Sequence, residues 1–112
     1  MQNKSIKLYL DDMRSTPKNF HRVYDYDEFV LFVNAHGLPA FISFDHDWGL
    51  GKTGYDCAKF LVDYCLDNKI NTINFTVHSQ NPVGKENIEK LLSNFNKLKF
   101  FVHIHRFPMF LQ

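Results

Sequence analysis

Long apolar runs and an excess of charge of one sign are both missing from this sequence. Its longest apolar runs fall far short of the roughly 18 residues needed to cross a bilayer, and residues 1–10 contain no apolar segment typical of a signal peptide. Thirteen basic and twelve acidic side chains leave a formal charge of +1, which excludes a broad basic surface for extended duplex nucleic acid. We therefore expect a cytoplasmic protein that binds neither a membrane nor a long duplex.

Cysteine is also scarce. Cys57 and Cys65 lie eight positions apart in what the pattern predicts to be one helix. At about 1.5 Å of rise per residue they are about 12 Å apart, which is too far for a disulfide. We predict that both are reduced residues that contribute to packing.

What the sequence does contain is enough apolar material for one core. It has 112 residues, 45% of them hydrophobic, so we expect a single domain over residues 1–112. Short apolar segments with alternating or continuous patterns predict five strands, at 6–10, 23–24, 41–44, 73–77 and 100–105.

Three predicted helices lie between these strands. Their caps are Asp25, Thr53 and Asn81; Gly37 ends the first helix, and Pro82 opens the third. Strands and helices in alternation are typical of a parallel α/β sheet. We predict a flavodoxin-like domain, with five parallel strands in the order 2-1-3-4-5 flanked by helices.

Acidic residues follow two strands that are neighbours in this order. Asp11 and Asp12 come after the first strand, and Asp45, His46 and Asp47 come after the third. Carboxylates at one edge of a sheet repel one another unless a cation lies between them, so we predict a divalent metal ion, Mg²⁺ or Mn²⁺, held by Asp11, Asp12 and Asp45. Asp47 joins them if the loop turns sharply. The alternative is a network of turn and helix caps.

Histidines near this edge are candidates for proton transfer. His78 ends the fourth strand, next to the third, and overhangs the same pocket. His78 and His46 are therefore predicted catalytic residues, because imidazole titrates near neutral pH, and Asp47, beside His46, is the third. The alternative for each histidine is a structural role with a hydrogen bond to the protein.

Other polar residues at this edge suit a phosphate. Arg14 is predicted to clamp a phosphate, although a surface ion pair is an equal alternative. Ser79 offers a hydroxyl group, and the segment from Asn81 to Gly84, at a helix N-terminus, offers backbone N–H groups.

Four separated motifs, at residues 10–14, 43–49, 53–56 and 77–84, occur together in this order. With them, residues 6–105 resemble the cyclic-phosphate processing receiver domain. The resemblance implies a receiver-like fold and the handling of cyclic phosphates, such as 2′,3′-cyclic phosphates of RNA ends or nucleotides, or a cyclic phosphate of ADP-ribose. It also implies that the acidic pocket holds Mg²⁺, and that positions 46, 47, 78, 79 and 81 are those that distinguish the family.

Three functions follow from these expectations. The first is a metal-dependent phosphoesterase acting on a small phosphorylated ligand or an RNA end. The second is a non-catalytic regulatory or ligand-binding module with Asp45 as phosphoacceptor; against phosphorelay signalling, His46 follows Asp45 and residues 105–108 lack the Lys-Pro expected after a fifth strand. The third is a metal-stabilised interaction domain that uses the apolar C-terminal segment 107–111, which either packs on the domain or self-associates.

Overall fold

A computed structural model describes the backbone of residues 2–45 and 52–110 and the side chains of residues 6–45 and 52–98. These residues form four strands and three helices: β1 (Gln2–Leu10), β2 (His21–Val23), α1 (Tyr26–His36), β3 (Leu38–Phe44), α2 (Gly54–Asp67), β4 (Phe75–Val77) and α3 (Pro82–Phe110). Among the described residues, no helix is both long and apolar enough to cross a membrane.

All strand pairs of the sheet are parallel, and the strands lie in the order β2-β1-β3-β4. This is the predicted order as far as its first four strands. Leu8 pairs with Ile42 and Tyr9 pairs with Ser43 in register, so β1 and β3 end at the same level. The receiver-like α/β fold with a parallel sheet is thus confirmed.

The fifth predicted strand, at residues 100–105, is wrong: this segment lies within α3, and the described sheet has four strands. The prediction depended on a short alternation of apolar residues and histidines. A fifth strand would need a turn after the third helix, but no glycine or proline occurs between Gly84 and Pro108. Because a helix extends easily once it has begun, α3 continues through the segment. The side chains of the C-terminal segment 107–111, predicted to pack or self-associate, lie outside the described ones.

The core lies between the sheet and the helices. Buried side chains of α1, α2 and α3 form one cluster with the sheet residues Leu8, Leu10, Ile42 and Phe44. Side chains of the opposite parity point to the other face, where the segment between β1 and β2 covers Tyr9 and Phe41, whereas Lys7 and Thr76 are exposed. The Phe20 ring of this segment packs edge to face on the rings of Tyr9 and Phe41, with distances between ring centres of 5.9 Å and 6.2 Å. The two faces of the sheet are therefore covered by different kinds of structure.

The predicted helix signals are confirmed for α1 and α2. Asp25 accepts a hydrogen bond from the N–H of Glu28, and Thr53 forms a capping box with Asp56. Gly37 ends α1 with a φ of 84°, a left-handed conformation that glycine adopts at low cost. These local signals fix where both helices begin and where α1 ends.

The two cysteines are buried and free, as predicted. Burial raises the pKa of both thiols, that of Cys65 to about 12. Both therefore remain protonated near neutral pH and act as apolar packing residues.

Asn96 of α3 closes the sheet beside β4. Its side-chain carbonyl accepts from the N–H of Ile73 at 2.8 Å, and its amide group donates to the C=O of Ile73 at 2.9 Å. One side chain thus satisfies both backbone groups of a residue that is almost fully buried. A neighbouring strand would make the same pair of bonds.

Replacing Asn96 by alanine is expected to lower the free energy of unfolding by about 1–3 kcal/mol, because two buried backbone groups lose their partners. Chemical denaturation measures this change. Asn94→Ala is the matched control: Asn94 is exposed on the same helix, and its loss should change stability by less than about 0.5 kcal/mol. Equal effects of the two substitutions would contradict the assigned role of Asn96.

Candidate functional site

Three strand ends bring Asp11, Asp45 and His78 together. Asp11 follows β1, Asp45 follows β3, and His78 follows β4. One ligand atom of each residue lies within 4.8 Å of the others. The sheet ladder continues past the strand ends, since Asp45 N–H donates to Leu10 C=O at 3.0 Å and His78 N–H donates to Phe44 C=O at 2.8 Å. Parallel pairing therefore sets the relative height of the three side chains.

Arg14 lies between the two buried carboxylates. Its Nη1 is 2.9 Å from Oδ2 of Asp11 and 3.6 Å from Oδ2 of Asp45. A tight turn brings it there, because Oδ1 of Asp11 accepts from the N–H groups of Met13 at 2.8 Å and Arg14 at 2.9 Å. The crowded carboxylates thus have a cation between them that belongs to the chain itself.

The pKa of Asp11 reflects these contacts. Full burial of the carboxyl group opposes its ionisation, but hydrogen bonds from the backbone of Arg14 and Met13 and from the side chains of Arg14 and His78 more than offset this. Together they lower the pKa from 3.8 to about 2. The hydrogen bond between the Arg14 guanidinium and the Asp11 carboxylate raises the pKa of Arg14. Both side chains therefore remain charged at neutral pH.

His78 is held on three sides. Its Nε2 lies 2.9 Å from Oδ2 of Asp11, and its Nδ1 lies 2.6 Å from Oγ of Ser43. Its ring stacks on the ring of Tyr9, with 4.5 Å between the ring centres and an interplanar angle of 5°. An ionised carboxylate only accepts hydrogen bonds, so Nε2 carries the proton that faces Asp11. In the neutral ring with its proton on Nε2, Nδ1 accepts from the Ser43 hydroxyl; in the charged ring, it donates to the Ser43 oxygen.

Arg22 fixes the loop that carries Asp11 and Arg14. Its Nε donates to the C=O of Asp11 at 2.9 Å, and its Nη1 donates to the C=O of Arg14 and, at 3.1 Å, to Oγ1 of Thr16. The guanidinium also lies 4.6 Å from the ring centre of Tyr24. These contacts position the turn on which Arg14 reaches the carboxylates.

Sequence reasoning missed Ser43 and Arg22. A signal for Ser43 was present, because it lies two residues before Asp45 and alternation places both side chains on the same face. A role for Arg22 could be predicted only from the register of β2 against β1, in which Arg22 pairs with Tyr9. The second strand was predicted at 23–24 and leaves Arg22 out.

The predicted phosphate site at the start of α3 is used by the chain's own side chains. Asn81 N–H donates to Oγ of buried Ser79, and Gly84 N–H donates to Oδ1 of Asn81, both at 3.1 Å. The Lys85 N–H donates to the backbone carbonyl of Asn81 at 2.9 Å. Asn81 is therefore the helix cap, as predicted. The Gly84 amide is already engaged in this cap.

The remaining predicted residues either are not part of this cluster or are not among the residues that the structure describes. Asp12 is exposed, next to buried Asp11, and is not among the grouped metal-ligating side chains found in the described residues. His46 and Asp47 lie outside the described residues. The predicted set thus comes together in part, around Asp11, Asp45, His78 and Arg14.

The depressed pKa of Asp11 predicts a pH-dependent contribution to stability. Since the folded-state pKa is about 2 against 3.8 unfolded, the contribution is complete above about pH 5 and is lost as the pH falls toward 2. Asp11→Asn should therefore lower the free energy of unfolding by on the order of 2 kcal/mol at neutral pH. This difference from the wild type should shrink below about pH 4.

Urea denaturation at a series of pH values measures that difference. The control is Asp63→Asn, which alters an exposed residue of α2. Its free energy of unfolding should differ little from that of the wild type at every pH. A destabilisation by Asp11→Asn that stays constant between neutral and acid pH would rule out the assigned ionisation.

Comparison with known families agrees with the geometry. Residues 6–94 match the family described as the cyclic-phosphate processing receiver domain. No curated protein and no solved structure matches the chain. The family match covers most of the 112 residues, includes Asp11, Asp45 and His78, and stops before the segment wrongly predicted as a fifth strand. The chain therefore belongs to the cyclic-phosphate processing receiver domain family.

Proposed function

We propose that this protein is a metal-dependent phosphoesterase that opens a cyclic phosphate. The substrate would be a 2′,3′-cyclic phosphate of an RNA end or a nucleotide, or a cyclic phosphate of ADP-ribose. In the reaction, a water oxygen bonds to phosphorus and releases a proton to solvent, one P–O bond of the ring breaks, and the released ring oxygen takes a proton. The observation that carries the proposal is the convergence of Asp11, Asp45 and His78 within 4.8 Å, beside Arg14.

The donor atoms fit a hard divalent cation. Asp11 and Asp45 present buried carboxylate oxygens, the ligand type that Mg²⁺ prefers, and Asp12 follows Asp11 directly at the exposed rim. Arg14 already places positive charge between the two buried groups, which supports a site built for a cation. When bound, the metal would neutralise charge on the phosphate oxygens.

Arg14 and His78 would act on the substrate directly. The Arg14 side chain is 38% exposed, so its guanidinium can turn toward a phosphate and bind two of its oxygens. After its Nε2 has turned away from Oδ2 of Asp11, His78 in its charged form would donate the Nε2 proton to the leaving ring oxygen. The Ser43 hydroxyl suits this step because it can accept from Nδ1 before and after the transfer. His46 and Asp47 are further candidates for proton transfer.

A second candidate is a receiver-like module that binds a phosphorylated ligand without turnover, with Asp45 as phosphoacceptor. The specific observation in its favour is that both ring nitrogens of His78 already bond to the protein. A histidine held in this way stabilises the site and has no nitrogen directed at a substrate until Asp11 or Ser43 is displaced.

Turnover assays separate the two functions. Wild-type protein is incubated with 2′,3′-cyclic nucleotides and cyclic-ended oligoribonucleotides, with Mg²⁺, Mn²⁺ or EDTA. We expect metal-dependent ring opening that Asp45→Asn abolishes and that His78→Ala slows by about 10²–10⁴-fold, the range for loss of a general acid. The measurement is product formation by chromatography.

Matched controls are Asp63→Asn and His36→Ala, which alter exposed residues of α2 and α1 and should retain wild-type rates. Absence of wild-type turnover over the whole panel would reject hydrolysis of these substrates. A stable acyl phosphate on Asp45 after treatment with acetyl phosphate would instead favour the binding module.

A further inference from the structure

Arg14 has the position that a metal ion would need. Both oxygens of Asp11 are fully engaged: Oδ1 accepts from two backbone N–H groups, and Oδ2 accepts from Arg14 and His78. A carboxylate offers about four lone-pair positions. A cation can therefore bond to Asp11 only if one of these donors leaves.

Of the two side-chain donors, Arg14 is the one held by fewer contacts, so it would leave first, when metal and ligand bind. The His78 side chain is 18% exposed and is fixed by Ser43, by the stacked ring of Tyr9 and by its backbone bond to β3. The Arg14 side chain is 38% exposed, and its described guanidinium contacts are with Asp11 and Asp45. Rotation of the Arg14 side chain opens the site without disturbing the sheet.

We propose that Arg14 is an exchangeable counter-cation, which offsets one of the two negative charges of Asp11 and Asp45 in the free protein and moves to the phosphate when metal and ligand bind. This inference rests on the proposed function and adds regulation of the same site. A metal ion binding alone must displace Arg14 into water, at the cost of a buried ion pair. A phosphate gives the displaced guanidinium a new partner.

The consequence is that metal and phosphate bind interdependently. Each ligand strengthens the binding of the other by the same factor, as any coupling between two binding equilibria requires. The free protein holds metal weakly, and Arg14 offsets part of the negative charge of its acidic pocket while phosphate is absent. The ligand and the metal would thus load the site together.

The exchange is tested by titrating the protein with Mn²⁺ and measuring the free ion by electron paramagnetic resonance. Inorganic phosphate is the anion, and a sample without protein is the blank. Arg14→Gln removes the charge and keeps most of the side-chain length. We expect it to bind Mn²⁺ on the order of tenfold more tightly than the wild type when phosphate is absent. Phosphate should strengthen Mn²⁺ binding by a similar factor in the wild type and hardly at all in Arg14→Gln.

Lys90→Gln makes the same change in net charge on the exposed surface of α3 and should leave Mn²⁺ affinity within about twofold of the wild type. Arg14→Lys, which keeps a charge at this position, should bind Mn²⁺ more weakly than Arg14→Gln. Circular dichroism checks that each variant is folded.

Two results would overturn the exchange alone: Mn²⁺ binding by Arg14→Gln no tighter than by the wild type, or equal strengthening by phosphate in both proteins. A different result would overturn the proposed function as well, namely Mn²⁺ binding that Asp45→Asn leaves unchanged, or no Mn²⁺ binding by any variant. The two failures are therefore distinguishable.

Discussion

The buried carboxylate of Asp11 is the group on which the rest of the site depends. A charge without exposure to water is stable only when hydrogen-bond donors replace the solvent, and Asp11 has four such donors. Two are amides of the turn that it caps, one is Arg14, and one is His78. The turn, the position of the guanidinium and the orientation of the imidazole are thus all consequences of keeping one carboxylate ionised.

The parallel sheet supplies the geometry that this charge balance needs. Because parallel strands end at a common edge, residues far apart in sequence arrive at the same height, and Asp11 meets His78 from 67 positions away. The face that bears the site is covered by the irregular segment between β1 and β2, which also supplies Arg14. A loop rather than a helix therefore delivers the cation, and the Arg14 side chain stays partly exposed, at 38%.

Much of this arrangement could be predicted because its signals are local. Caps such as Thr53 with Asp56, and an acid placed directly after a strand, depend on a few neighbouring residues. The failed fifth strand has the same origin: a short alternating run is compatible with two structures, and only the continuation of α3 decides between them. Arg14 was predicted to clamp a phosphate or to form a surface ion pair; its place between Asp11 and Asp45 depends on turn geometry, which residue types do not reveal. Ser43 and Arg22 depend on strand register, which the sequence pattern leaves open.

The amide of Asn96 has an implication for how the molecule meets its own copies. An exposed sheet edge invites pairing with a strand of another chain, through backbone groups that lack partners. At Ile73, beside the edge strand β4, both groups are already bonded to a side chain from α3. An incoming strand finds neither donor nor acceptor at Ile73, so one asparagine takes the place of a neighbouring strand at that position.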